Sequence, residues 1–369
     1  MFGYGITHQP VNDGVKEYAE FTNNIQNGWH FRYSLVNSCL VTTWLPAVIQ
    51  KITHCDPMFI FRIIPALFYP LMPAFTYLIA RRYIKTTFAL VAVLLVFLNS
   101  HFAYFPDIGR VGVSLGFMAG MIWALLEKKL SWAIIFSVLL VFSHYATSLI
   151  AISLVGFVWI GNLVWNLKNL PKYAIVFGVL VVLTFVWHFG IADYSGKIMG
   201  QTLFQTEQVG QILPVNPDFM DISTREPAIQ AAFNINNTMP IPQRLEIIIN
   251  WIVVGVYSLG LIFILRKKEM EIEYKMMCLA LYGLIIFTVA VPSLSTYYGG
   301  MRIYFTSTIV LATGFILASE KIAKIFHTNP LIISGIILLL YGISTTGLIY
   351  YPFGLEKTFP VMETLGAVK

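Results

Sequence analysis

Apolar residues run in long blocks along this chain, and polar residues gather between them. The blocks predict membrane-spanning helices at about 58–80, 86–106, 109–126, 146–165, 173–191, 245–265, 274–292, 300–318 and 330–350. Each approaches the ~20 apolar residues that a spanning helix needs. A further block at 131–143 would cover only ~20 Å of a ~30 Å hydrocarbon core. It is expected to stop inside the membrane. The pattern predicts an all-α polytopic membrane protein with nine full spans and one short intramembrane helix. Five regions follow: an outer-face loop with an interfacial helix (1–57), a first transmembrane bundle (58–191), a second outer-face loop (192–244), a second bundle (245–350) and an outer-face tail (351–369).

Composition removes the soluble alternatives. Of 369 residues, 57% are hydrophobic and only 11% are charged, with a mean hydropathy of +0.73. A soluble domain carries ~25% charged residues. Strands of a transmembrane barrel alternate over ~10 residues, and the apolar runs here continue well past that. The three cysteines, Cys39, Cys55 and Cys278, are too sparse for a disulfide framework or a zinc site.

The charged residues set the orientation. Arg81, Arg82, Lys85, Lys128, Lys129, Lys168, Lys172, Arg266, Lys267, Lys268, Lys275, Lys321 and Lys324 lie between spans on one side, 13 of the 24 basic residues. The positive-inside rule makes that side cytoplasmic. The net charge of +6 is thereby accounted for by the membrane and does not point to nucleic acid. The polar first 57 residues begin without a leader, so either the first span translocates this tail or, the favoured expectation, an original first helix is missing from this chain.

The opposite, outer face holds the candidate chemistry. Asp13, Glu17 and Glu20 follow the i, i+4, i+7 spacing of one helix face. They read either as a solvated face or as a general base or metal-binding carboxylate. Val41, Trp44, Leu45, Val48, Ile49 and Ile52 form an amphipathic stripe that Pro46 is expected to kink. Arg62, Arg110 and Arg302 all fall at outer helix ends. Each alone could snorkel to headgroups; together they could hold the phosphate of a lipid carrier. Ser143-His144-Tyr145 breaks the chain at outer-leaflet depth, where backbone must be satisfied by protein or by a polar cavity. The segment 192–244 is expected to cover or shape the site. It contains a weak glycosylation sequon, Asn236-Asn237-Thr238. P-loop, G-x-S-x-G and H-E-x-x-H motifs do not occur.

The order of several short motifs resembles a known class. Asp13-x-x-x-Glu17-Tyr18, Gly28-Trp29, Asn37-Ser38 and Leu45-Pro46 come first. Phe61-Arg62, Pro73, Gly109-Arg110, Ser143-His144-Tyr145 and Arg302-x-Tyr304 follow. This is similar to the GT-C membrane glycosyltransferases, and closest to a largely uncharacterised archaeal branch. The resemblance implies a cell-membrane enzyme that transfers sugar from a polyprenyl-phosphate carrier to a glycan or protein acceptor on the outer face. It implies Asp13, with Glu17 as the alternative, as base or ligand of a divalent metal ion. Arg62, Arg110 and Arg302 would bind the donor phosphate, with His144 and Tyr145 beside them. In that class a span precedes the acidic loop, and none stands there in this chain. The rival expectation is a non-enzymatic transporter or flippase of a lipid-linked glycan, and a plainer one is a scaffold subunit.

Overall fold

A computed structural model describes residues 13–29, 36–99, 102, 109–164, 170–192, 233, 239–290 and 300–354. The expected turn at Pro106-Asp107, most of the 192–244 segment with its sequon, and the tail beyond 354 lie outside the described residues.

Every regular element among the described residues is a helix. In chain order they are α1 (Asp13–Asn27), α2 (Trp44–Thr53), α3 (Pro57–Ala66), α4 (Leu71–Arg81), α5 (Thr86–Leu98), α6 (Gly109–Leu126) and α7 (Leu130–Ser143). Then come α8 (Tyr145–Val164), α9 (Leu170–Thr184) continued by a π-helical turn (Phe185–Ile191), α10 (Ile241–Arg266), α11 (Ile272–Ala290), α12 (Gly300–Ile325) and α13 (Pro330–Thr345). A 3₁₀ turn, Leu348–Phe353, closes the described chain. Seven helical runs are long and apolar enough to cross a membrane, and α5, α7 and α13 are shorter apolar helices. This is the architecture of a polytopic membrane protein.

Several expected boundaries change. The span at 86–106 ends at Leu98, because Asn99 leaves helical backbone at ψ 131°. The span at 330–350 ends at Thr345, and Gly347 at φ 81° starts a separate turn. Neither reaches the length expected of a full span. The span at 58–80 is broken into α3 and α4 by a turn over 67–70. Pro70 and Pro73 lack the amide protons that an unbroken helix would use there. Pro46 does not kink α2. The helix begins at Trp44, so the proline falls in the first turn, where a missing amide costs nothing. The short helix 131–143 is observed as Leu130–Ser143.

Two helices form the centre. In α6, 94% of the apolar stretch is buried, and in α12, 89%. The other apolar helices keep exposed apolar faces, for example Leu90, Leu94 and Phe97 on α5. Helix α6 runs parallel to the α3–α4 pair at close range through its glycines. A Cβ on Gly116 would sit 3.0 Å from Leu71 Cβ, and one on Gly120 would sit 2.9 Å from Phe75 Cε2. Helices α10 and α12 cross backbone to backbone at Gly260 and Gly314. Small residues permit such approach where helices pack in lipid.

The basic loops gather at one end of the bundle. Arg82 follows α4 and reaches Glu127 beyond α6 (Nη1 to Oε1, 2.6 Å). It also pairs with Glu271 before α11. Tyr83 donates to the same carboxylate at 2.6 Å. Burial opposes the charge on Glu271, but the hydrogen bonds from Arg82 and Tyr83 outweigh it and hold the carboxyl below its ordinary range.

Candidate functional site

The opposite end of the bundle collects buried charge. Helix α1 buries a stripe of Gly14, Glu17, Phe21 and Asn24, while Glu20 is partly exposed. The apolar part of this stripe packs through Phe21 and Tyr18 against Phe61 of α3. That packing seats α1 on the membrane bundle and places Glu17 against the start of α6. At the far end of α1, Gly28 takes φ +73° and stops the helix. Asn24 donates to Asn37 Oδ1 at 2.9 Å, which ties the end of α1 to the turn at 36–43.

Glu17 and Arg110 form a buried ion pair, Oε1 to Nε at 3.6 Å, with side chains only 1% and 5% exposed. Glu17 Oε2 would be 3.1 Å from a Cβ at Gly109. Glycine therefore lets the carboxylate settle on the positive N-terminal end of α6. A small recess beside the pair is lined by Gly14, Glu17, Phe61, Arg62, Pro65, Tyr69 and Gly109. Arg62 is itself buried. Its helix starts properly because Asp56 accepts from the Phe59 amide at 2.8 Å and Pro57 takes the first helical position.

His144 stands at the junction of α7 and α8 in extended backbone, φ −163°, ψ 120°. Its Nδ1 lies 2.8 Å from Thr147 Oγ1, which in turn lies 2.9 Å from Ser114 Oγ on α6. The ring is therefore bound to the helix that carries Arg110. The charges of Arg110 and Arg302 both act on it. Tyr145 stacks at an angle on His144, centroids 4.9 Å apart. The expected helix break is thus present, and it is buried within protein.

These contacts place Glu17, Arg62, Arg110, His144 and Tyr145 in one neighbourhood, with Arg302, at the start of α12, in electrostatic reach of it. Asp13 opens α1 one turn before Glu17, but its side chain lies outside the described residues. Among the described residues, no three His, Cys, Asp or Glu side chains come together as a metal site.

Sequence reasoning missed several members of this neighbourhood. Cys39 is fully buried and feels the charges of both Arg110 and Glu17. Burial, opposed by Arg110, pushes its thiol up to about 12, so it is a neutral thiol. Trp187 and His188 lie in the π-helical turn after α9. Trp187 donates to Ser38 O at 3.0 Å and stacks on Trp29, centroids 5.8 Å apart. His188 Nε2 lies 3.2 Å from Val141 O and so donates to it. A histidine near the end of an apolar run was the available hint, since such residues are uncommon in spans. The π turn has no sequence signature of its own.

No family model and no curated protein matches this chain.

Proposed function

We propose that the chain is an outer-face membrane glycosyltransferase of GT-C type, using a polyprenyl-phosphate-linked sugar. The buried Glu17–Arg110 pair beside Arg62 carries the proposal. Buried charges within a membrane bundle are expensive and tend to mark function. Sugar transfer needs a carboxylate to take the acceptor's proton and positive charge to stabilise the departing phosphate. Both are found here within one neighbourhood, at helix ends where a carrier lipid's headgroup could meet them. The positive-inside reading puts the opposite, basic end in the cytoplasm and this end outside.

In this reading Glu17 takes the base's part, because its carboxylate lines the recess with Arg62. Asp13, one turn earlier on α1, is the second candidate. Arg62, Arg110 and Arg302 hold the donor phosphate. No step is assigned to a metal. A flippase would use the same arginines without needing the carboxylate. The test is purified protein in lipid vesicles, given a radiolabelled polyprenyl-phosphate sugar and a mixture of glycan and peptide acceptors. Label transferred to acceptor supports the enzyme. Label that only changes leaflet supports the flippase and removes the enzyme.

A further inference from the structure

We propose that a recess at the basic end of the bundle binds the phosphate of an anionic lipid headgroup between Lys128 and Lys172. The inference is independent of the site and the activity proposed above, which belong to the opposite end.

Three helices meet at this recess. The end of α6 lines it with Leu125 and Leu126, and the turn that follows adds Lys128. Helix α9 adds Lys172, and the start of α11 adds Glu271 and Glu273. Glu271 is already engaged by Arg82 and Tyr83. The charges left facing the recess are then two lysines against Glu273. Glu273 is buried while Lys128 is exposed, so an incoming group meets positive charge first. Lys172 and Glu273 lie in the first turns of α9 and α11. The positive ends of both helices therefore add to the lysines and offset Glu273.

Neither lysine ammonium has an ion-pair partner among the described residues. The neighbouring Lys129, in contrast, sits over the Trp123 ring at 4.6 Å. A phosphate group has oxygens enough to serve two cations at once. The recess lies where apolar helices end among basic loops, with Leu125 and Leu126 as its apolar wall. Basic pockets between helix ends on the cytoplasmic side are where anionic headgroups bind.

The backbone at Lys128 makes a discriminating test possible. This residue follows α6 at φ 59°. Its amide donates to Leu125 O at 3.1 Å, and the Lys129 amide donates to Ala124 O at 2.8 Å. That pair of bonds ends a helix through a left-handed residue, a position that favours glycine. Lys128→Gly thus relaxes the backbone and removes the ammonium in one change.

Binding of dihexanoyl phosphatidylglycerol, dihexanoyl phosphatidylcholine and inorganic phosphate is measured by calorimetry on purified protein in detergent. Thermal midpoints are taken without added lipid. The wild type should prefer the glycerol lipid to the choline lipid by ~10-fold or more, as expected for a hydrogen bond to a charged group. Lys128→Gly should weaken binding of that lipid by a similar factor while its midpoint rises. Lys172→Gln should also weaken binding. Lys268→Gln, at the same end but outside the recess, should bind as wild type does. Undiminished binding by Lys128→Gly overturns the proposal. So does an equal loss in Lys268→Gln, which would mean diffuse surface charge, or a lowered midpoint in Lys128→Gly, which would make the lysine structural. Failure to distinguish the two lipids, or failure to bind either, overturns it as well. Inorganic phosphate bound as tightly as the glycerol lipid would overturn the assignment to a lipid and leave a free-phosphate site.

Discussion

Gly260→Ala should be among the most damaging small substitutions in this protein. A Cβ there would overlap the carbonyl of Gly314 on α12 and sit 2.7 Å from its Cα. Carbon atoms in comfortable contact stand ~3.5 Å apart, and the carbonyl carbon is nearer still than the Cα, so the two helices would have to separate by more than about 0.8 Å. The obstacle is backbone, which cannot swing aside as a side-chain tip can. Overpacking of a tight interior costs ~1–3 kcal/mol, and the upper end applies here. Gly314→Ala is the internal contrast. Its Cβ would meet Ile264 Cδ1 at 3.1 Å and Gly260 C at 3.2 Å; the isoleucine tip can rotate and the backbone contact is short by only about 0.3 Å of the ~3.5 Å spacing, so the cost should be about 1 kcal/mol. Gly255→Ala on the same helix meets nothing within 4 Å. It should be neutral or slightly stabilising, since alanine is the better helix former. Thermal unfolding in detergent should rank the variants Gly260→Ala, Gly314→Ala, Gly255→Ala from least to most stable. Arg302 also rides on α12, so donor binding should fall in the first variant. Equal midpoints for Gly260→Ala and Gly255→Ala would refute the backbone-contact argument.

Three further outcomes are expected. Arg110→Ala should lower stability by ~3–5 kcal/mol, because it leaves Glu17 buried without its main counter-charge; a change below ~1 kcal/mol in a denaturation titration would mean that the pair is well solvated. Glu271→Gln should cost no more than ~1 kcal/mol, because the Arg82 cluster is about one-third exposed. The folded carboxyl is held low, so its contribution is present above the ordinary range near ~4.3 and fades as pH falls through the folded value. The difference from wild type should therefore vanish in acid, and a difference that grows on acidification contradicts the assignment. Cys55 is exposed in the turn before α3, while Cys39 and Cys278 are buried, so an impermeant maleimide should label intact cells through Cys55 alone. In a Cys55→Ser background, Lys129→Cys should stay unlabelled, and its labelling from outside would invert the topology.

Much of the fold was legible because lipid leaves so few options. Nearly every apolar block became a helix, since backbone groups in hydrocarbon must bond within their own segment. Helix ends were harder to read. Thr86–Leu98 stops where Asn99 turns away, although apolar residues continue beyond it. The turn at 67–70 was signalled by its prolines but hidden by the apolar run around them. At the site, the spacing of Asp13, Glu17 and Glu20 gave a shared face but not its depth. Glu17 is buried, and Glu20 only partly so, because Gly14, Phe21 and Asn24 lie on Glu17's stripe and Gly109 leaves room for its carboxylate. Cys39, Trp187 and His188 entered the neighbourhood through contacts between distant segments, which no local pattern encodes.

The central claim is that Glu17 removes the acceptor's proton while the arginines hold the donor. Its most direct test is Glu17→Gln, assayed in vesicles for sugar transfer and, separately, for binding of the polyprenyl-phosphate donor. Glutamine keeps the shape of the buried side chain but cannot take a proton. The account predicts transfer reduced at least ~100-fold, the lower bound of a general base's contribution, with donor affinity within a few-fold of wild type. Transfer at the wild-type rate would contradict the claim outright, and donor binding lost in step with transfer would reduce Glu17 to the counter-ion that positions Arg110.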